Sequence, residues 1–189
     1  MPTTTKTIVE NYTLKNDFGK AWGYFDFWIE GEFTKVELYI RVHAYPRNVF
    51  GAPSDCLVTV YFQSEKTQQV YGSGYFVEIG VWEHVQYCTK REARKDITTY
   101  VGGRNTVIVT FDVASWGLGS MGVVEVLQAI ITYPEGSPEP TVEIQKKEEK
   151  SYEGAIKLLN EFMYKVFMPM MMIIMMMSLI RGIREKPRK

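Results

Sequence analysis

Between Lys165 and Arg181 this chain has no ionisable side chain. Val166, Phe167, Met168, Pro169, Met170, Met171, Met172, Ile173, Ile174, Met175, Met176, Met177, Leu179 and Ile180 leave Ser178 as the one hydroxyl in the run. A helix of this composition has no polar side to turn to water and has to be covered all round, which a bilayer does. About 15 residues make roughly 22 Å of helix, short of the ~30 Å hydrocarbon core. Lys165 and Arg181 can snorkel, which extends the apolar span to about Phe162–Ile183, close to the ~20 residues a crossing needs. The expectation is a single-pass C-terminal membrane anchor. The competing reading is a Met-rich helix buried inside an oligomer.

Five cations follow at once: Arg181, Arg184, Lys186, Arg188 and Lys189, against Glu185 alone, in a chain whose net charge is zero. Such a tail suits anionic lipid head groups or nucleic acid, and it also serves as a plain stop-transfer flank. Met1-Pro-Thr-Thr-Thr-Lys6 lacks the apolar stretch of a secretory signal, so a tail-anchored arrangement is expected. The positive-inside tendency favours the opposite orientation. A virion with an internal membrane satisfies both, with the folded domain in the capsid and the basic tail facing the genome.

Residues 1–133 read as strands and turns. Val36, Leu38, Ile40, Val42 and Ala44 alternate with Glu37, Tyr39, Arg41 and His43, the period of a half-buried strand. Val58, Val60 and Phe62 repeat the pattern, as do Val107, Val109, Phe111 and Val113. Val123 to Tyr133 is apolar on both faces and reads as a central strand. Turn signals such as Pro46-Arg-Asn48 and Gly72-Ser-Gly74 separate the runs. No helical period interrupts them, so the pattern predicts about nine or ten strands in an antiparallel sandwich.

Composition then breaks. Residues 134–151, with Pro134-Glu-Gly-Ser-Pro-Glu-Pro140 and a charged run behind it, read as a flexible linker. Residues 152–183 read as an amphipathic helix continuing into the anchor, bent at Pro169, and residues 184–189 as the basic tail.

Asp96-Ile-Thr98 and Gly103-x-Asn105-Thr106-Val107 resemble a strand pair of the galactose-binding-domain-like jelly rolls. The resemblance implies a jelly-roll sandwich in which Asp96-Ile-Thr98 closes one strand and Asn105 opens the next. It implies little about sugar binding, because the fold hosts many functions.

Catalytic constellations are missing: no P-loop, no HExxH, no GxSxG and no glycine-rich dinucleotide turn. His43 and His84 have no partner at ligand spacing, and Glu83 beside His84 would point to the opposite face of a strand. Cys56 and Cys88 lack a CxxC or His context and read as buried free thiols. Lys90, Arg91, Arg94 and Lys95, a basic cluster between strands, read as a solvated loop or an ion-paired subunit contact. No cofactor or metal is expected. Trp22 and Trp28, on a strand aromatic on both faces, and Trp116, in a glycine-rich loop, are the candidate interaction aromatics.

The expected function is therefore structural and non-enzymatic: a membrane-anchored jelly-roll subunit of a larger assembly. Its most concrete form is a capsid or vertex protein anchored in an internal virion membrane. Its partners would be lipid, other copies or other capsid subunits, and nucleic acid or anionic lipid at the tail. The alternatives are a membrane-tethered carbohydrate-binding or adhesion module, with glycan as partner, and a cytosol-facing tail-anchored adaptor.

Overall fold

The computed structural model describes residues 1–16, 20–48, 50–113, 119–146, 168–172 and 176–177. The chain forms two compact units, Met1–Glu149 and Lys150–Lys189.

Unit 1 is an all-β antiparallel sandwich. Its strands are β1 (Thr3–Asn16), β2 (Lys20–Glu30), β3 (Lys35–Tyr45), β4 (Asp55–Ser64), β5 (Val77–Gln86), β6 (Lys90–Asp96), β7 (Asn105–Val113), β8 (Ser120–Thr132) and β9 (Thr141–Lys146). One sheet has the order β1-β8-β3-β6, the other β5-β4-β7-β2-β9. The pairs β1·β8, β2·β7, β3·β6 and β4·β5 nest inside one another along the chain. Nesting of this kind, folded over into two sheets, is the double Greek key of a jelly roll.

Alternation in the sequence explains the layers. Val36, Leu38, Ile40, Val42, Val58, Val60, Phe62, Val107, Val109 and Phe111 point inward and are essentially solvent-free. Burying each of them is worth about 1.5–3 kcal/mol. The sheets approach closely at Gly122 of β8, where an added Cβ would lie 2.2 Å from the Phe111 ring of β7. β8 is central, as its composition predicts, but only alternate residues enter the core while the others are half-buried on the outer face.

A short helix, α1 (Glu65–Tyr71), interrupts the strands, contrary to the sequence reading. Its start is a capping box in which Ser64 and Thr67 bond reciprocally, Thr67 standing where Glu or Gln is usual. Seven residues are too few to show a helical period.

The break expected at Tyr133 falls inside the domain. Glu139 receives a 2.7 Å bond from Thr4 and a 2.5 Å bond from Lys6, Ser137 bonds Glu32, and Pro140 is buried. Residues 141–146 then pair with β2 from Glu30 back to Phe25. Val142 packs against the core, so this stretch is a ninth strand rather than linker. One β-branched residue at the right register outweighs the polar composition around it.

The residues of the galactose-binding resemblance do end β6 at Asp96 and open β7 at Asn105. The two strands belong to different sheets, however, so they are not a pair. Ile97 and Val101 fill the end of the core between them. Asp96 accepts bonds from the Thr98 hydroxyl and amide, and Asn105 ties Gly102, Gly103 and the carbonyl of Phe27. The motif is the chemistry of a crossover.

In unit 2, Met168–Met172 and Met176–Met177 are helical. Among the described residues no helix is long and apolar enough to cross a membrane. The rest of the expected anchor and the whole basic tail lie outside the described residues.

Candidate interaction face

The outer faces of the two sheets differ in chemistry. On the four-stranded sheet, β3 presents Glu37, Tyr39, Arg41 and His43, and β6 presents Lys90, Glu92, Arg94 and Asp96 in register opposite them. A shift between Arg41 and Val42 leaves Glu125 of β8 as the extra residue of a bulge. Its carboxylate lies 2.5 Å from Arg41 Nε, 2.8 Å from His43 Nδ1 and 2.7 Å from Lys90 Nζ, at 11% side-chain exposure. The Lys90 ammonium, with Arg41 and His43 behind it, holds the Glu125 carboxyl below the usual range against the opposing effect of burial. Arg94 likewise grips Glu37 through two nitrogens and lowers its carboxyl. The Thr98 hydroxyl does the same for Asp96. These charges answer one another, and the face is finished for water.

The structure revises two sequence readings. Lys90, Arg91, Arg94 and Lys95 belong to strand β6 rather than to a solvated loop. His43, on the outward phase of β3, is 13% exposed and set against Glu125. Cys56 is a buried free thiol as expected, whereas Cys88 is free and exposed, in a turn at φ 62°.

The five-stranded sheet turns a different face outward. Because Val58, Val60, Phe62, Val107 and Val109 point in, their neighbours point out. Register places Tyr61 of β4, Ile108 of β7 and Tyr24 of β2 in one cross-strand row. Thr59, Thr110 and Trp22 form the next row, with Val81 beyond Thr59. Leu57, Asp112 and Lys20 follow, Lys20 bridging Asp112 at 3.3 Å and lying 5.7 Å from the Trp22 ring centroid. Phe76 packs against Tyr61 with ring centroids 6.2 Å apart. Leu57 and Val81 are each 36% exposed and Phe76 is 43% exposed. On the other side, Gln63, Thr106 and Asp26 form a polar row, with Thr106 donating to Asp26 at 2.7 Å. The result is a half-buried apolar and aromatic centre, bounded on one side by a polar row in which Asp26 and Gln63 are themselves buried and on the other by the Lys20–Asp112 pair.

The expected aromatics divide. Trp22 belongs to this face, half-buried. Trp28 lies two positions beyond Asp26, paired with Glu143 of β9 at the sheet margin. Trp116 lies outside the described residues. Tyr24 stood with Trp22 on the strand read as aromatic on both faces, whereas Tyr61, Ile108, Leu57 and Val81 were not singled out from the sequence. Their signal was present, since each is apolar at the outward phase of a period-two strand, but its meaning emerges only when strands distant in the chain are set side by side.

His84 Nδ1 lies 2.9 Å from Asp55 beside a cavity of about 360 Å³ lined also by Cys56, Leu57, Glu83 and Asp112. Burial pushes the Cys56 thiol up to about 12, with the Asp55 and Asp112 carboxylates adding to it, so it is no nucleophile at neutral pH. Among the described residues no group of His, Cys, Asp and Glu is placed to hold a metal ion.

No protein-family model matches this chain, and no curated protein is similar to it. Among solved structures it is similar to the structure of infectious bursal disease virus Gx strain, at 11% sequence identity and a TM-score of 0.36. The match covers 87% of this chain and 48% of that one, so the chain spans about half the length of the structure it resembles. A score at that level does not establish a common fold. The architecture rests on the hydrogen-bonded pairs described above.

Proposed function

We propose that this chain is a non-enzymatic structural subunit: a jelly-roll sandwich that packs against neighbouring copies and is tethered to a lipid membrane by its C-terminal apolar run. In its most concrete form it is a capsid or vertex subunit over an internal virion membrane, its basic tail directed at nucleic acid or anionic lipid. The observation that carries the assembly half is the contrast between the two sheets. The apolar rows cross four strands at about 4.8 Å spacing and about six residues at about 3.4 Å, a patch of roughly 400 Å², which suits the centre of an interface of the standard ~800 Å² per partner. The tether half rests on the charge-free run Val166–Ile180 between Lys165 and Arg181.

Each half has its own test. Sedimentation of the detergent-solubilised full chain should show an oligomer that Ile108→Lys or Tyr24→Lys disperses without changing the unfolding temperature; a wild-type monomer at all concentrations refutes assembly. Flotation with vesicles should require residues beyond Lys146; equal flotation of a chain ending there removes the tether.

The Tyr61–Ile108–Tyr24 row favours one second reading, since rings on a flat sheet also stack on sugar rings. Glycan binding that disappears in Tyr61→Ala, with a monomeric wild type, would select it.

A further inference from the structure

We propose that the outer edge of β1 is a junction between two copies of this chain. Residues Thr3–Thr7 of one copy pair antiparallel with the same residues of the other about a two-fold axis at Thr5, joining two four-stranded sheets into one of eight. Among the described residues β1 pairs with β8 alone and is an edge of its sheet. Its backbone phase is fixed at its start. The Tyr133 amide donates to the Pro2 carbonyl, whereas the Thr132 carbonyl is taken by Thr34 on the β3 side. Alternation then turns Pro2, Thr4 and Lys6 toward β8 and turns Thr3, Thr5 and Thr7 away from it. These three threonines are exposed, and no described residue bonds their amides or carbonyls. Three donors and three acceptors in line, on β-branched residues, are a template for one more strand. The other edges are blunted. β6 has seven residues, all charged except Ala93. β5 breaks register twice against β4 and holds His84 at φ 52°. β9 has six residues, whereas β1 has 14 and keeps register from Thr3 to Thr7.

The segment is its own complement, which selects a second copy as the occupant. About Thr5 the exposed row sets Thr3 opposite Thr7, Thr5 opposite Thr5 and Thr7 opposite Thr3, and each such pair exchanges two backbone bonds. The facing side chains are all threonine, favourable cross-strand neighbours with no charge to repel. On the other phase, that of the buried Ile8, Lys6 lies opposite Thr4 of the second copy. Both already converge on one carboxylate, since Glu139 accepts from Thr4 at 2.7 Å and from Lys6 at 2.5 Å. Sliding the pair by two residues one way sets Lys6 against Lys6, which repel. Sliding it the other way sets Thr7 against Met1, outside the strand. The junction is separate from the aromatic face of the five-stranded sheet, and either contact can form without the other.

The test is disulfide trapping in the detergent-solubilised full-length chain carrying Cys88→Ser and Ile108→Lys. The first change removes the exposed thiol, and the second parts copies held through the aromatic face. Opposed Cα atoms in a bonded pair lie ~5.5 Å apart, within disulfide reach, whereas Thr7 and its own equivalent are about 14 Å apart. Thr5→Cys should therefore give at least about tenfold more disulfide dimer than Thr7→Cys. A mixture of Thr3→Cys and Thr7→Cys chains should cross-link where Thr7→Cys alone does not. Adding Thr5→Pro to both chains of that mixture removes the two amides at the axis and spares the bonds to β8. It should cut the yield at least about tenfold with urea unfolding unchanged. Equal yields from Thr5→Cys and Thr7→Cys, or from the mixture with and without Thr5→Pro, overturn the junction. Where Thr5→Pro shifts urea unfolding, the contrast between Thr5→Cys and Thr7→Cys decides alone. Cross-linking of Thr5→Cys in a chain whose aromatic face fails its own test upholds the junction without that face.

Discussion

At the scale of the residue, burial sorts the two thiols. Cys56 is enclosed in the core beside Asp55, and its thiol is pushed up to about 12, whereas Cys88 is exposed. Native protein should therefore consume one equivalent of a thiol reagent per chain, at Cys88, and a second only on unfolding; rapid reaction of both would contradict the packing around Cys56. Glu125 poses an electrostatic question. Two cations, Arg41 and Lys90, and the His43 ring nitrogen converge on a nearly enclosed carboxylate, so Glu125→Gln removes the acceptor they share and should cost about 1–3 kcal/mol in urea unfolding. The sign of its pH dependence follows from the lowered folded value. Its contribution is complete above the ordinary carboxylate range, near 4.3, and is lost as pH falls through the lower folded value. The wild type should lose stability through that acid range more steeply than Glu125→Gln; parallel curves would show that the cluster contributes nothing.

At the scale of the element, strands whose two phases differ in chemistry were legible, and elements made by exceptions were not. β3, β4 and β7 declare themselves because Val, Ile and Phe recur at every second position. β9 was hidden because polar residues dominate an edge strand and Val142 alone packs on the core. α1 was hidden because a Ser64–Thr67 capping box resembles a turn. The same limit governs the interaction face: its outward phase is readable within each strand, but the rows require the register of β4, β7 and β2. Two measurements check the elements. Gly122→Ala forces a methyl into the Phe111 ring and should cost about 1–3 kcal/mol with the fold retained. A chain ending at Tyr133 loses β9 and bares the β2 edge, and should unfold about 2 kcal/mol or more below one ending at Lys146, the burial of Val142 being the larger part. Equal stability would return residues 141–146 to the role of linker.

At the scale of the whole molecule, the two faces of the sandwich differ: one is closed by its own ion pairs, and the other is half-buried, apolar and aromatic. The nested strand order has a further cost that falls on the cell rather than on the finished protein. β4 and β5 are separated by little more than α1 and can pair as soon as they are made, while Thr3 must find Thr132, 129 residues away. Folding should start at β4 and β5 and close at β1, in the milliseconds to seconds usual for such non-local topologies. Pulse-labelled hydrogen exchange during refolding should thus protect Val58 and Val60 before Thr5 and Leu14. On a ribosome the interval is longer. Roughly 100 residues separate the end of β1 from the start of β8, and at about 5–20 residues per second that is on the order of ten seconds. For that time β1 waits outside the exit tunnel as an unpaired β edge, and whatever shelters nascent chains has to shelter this one.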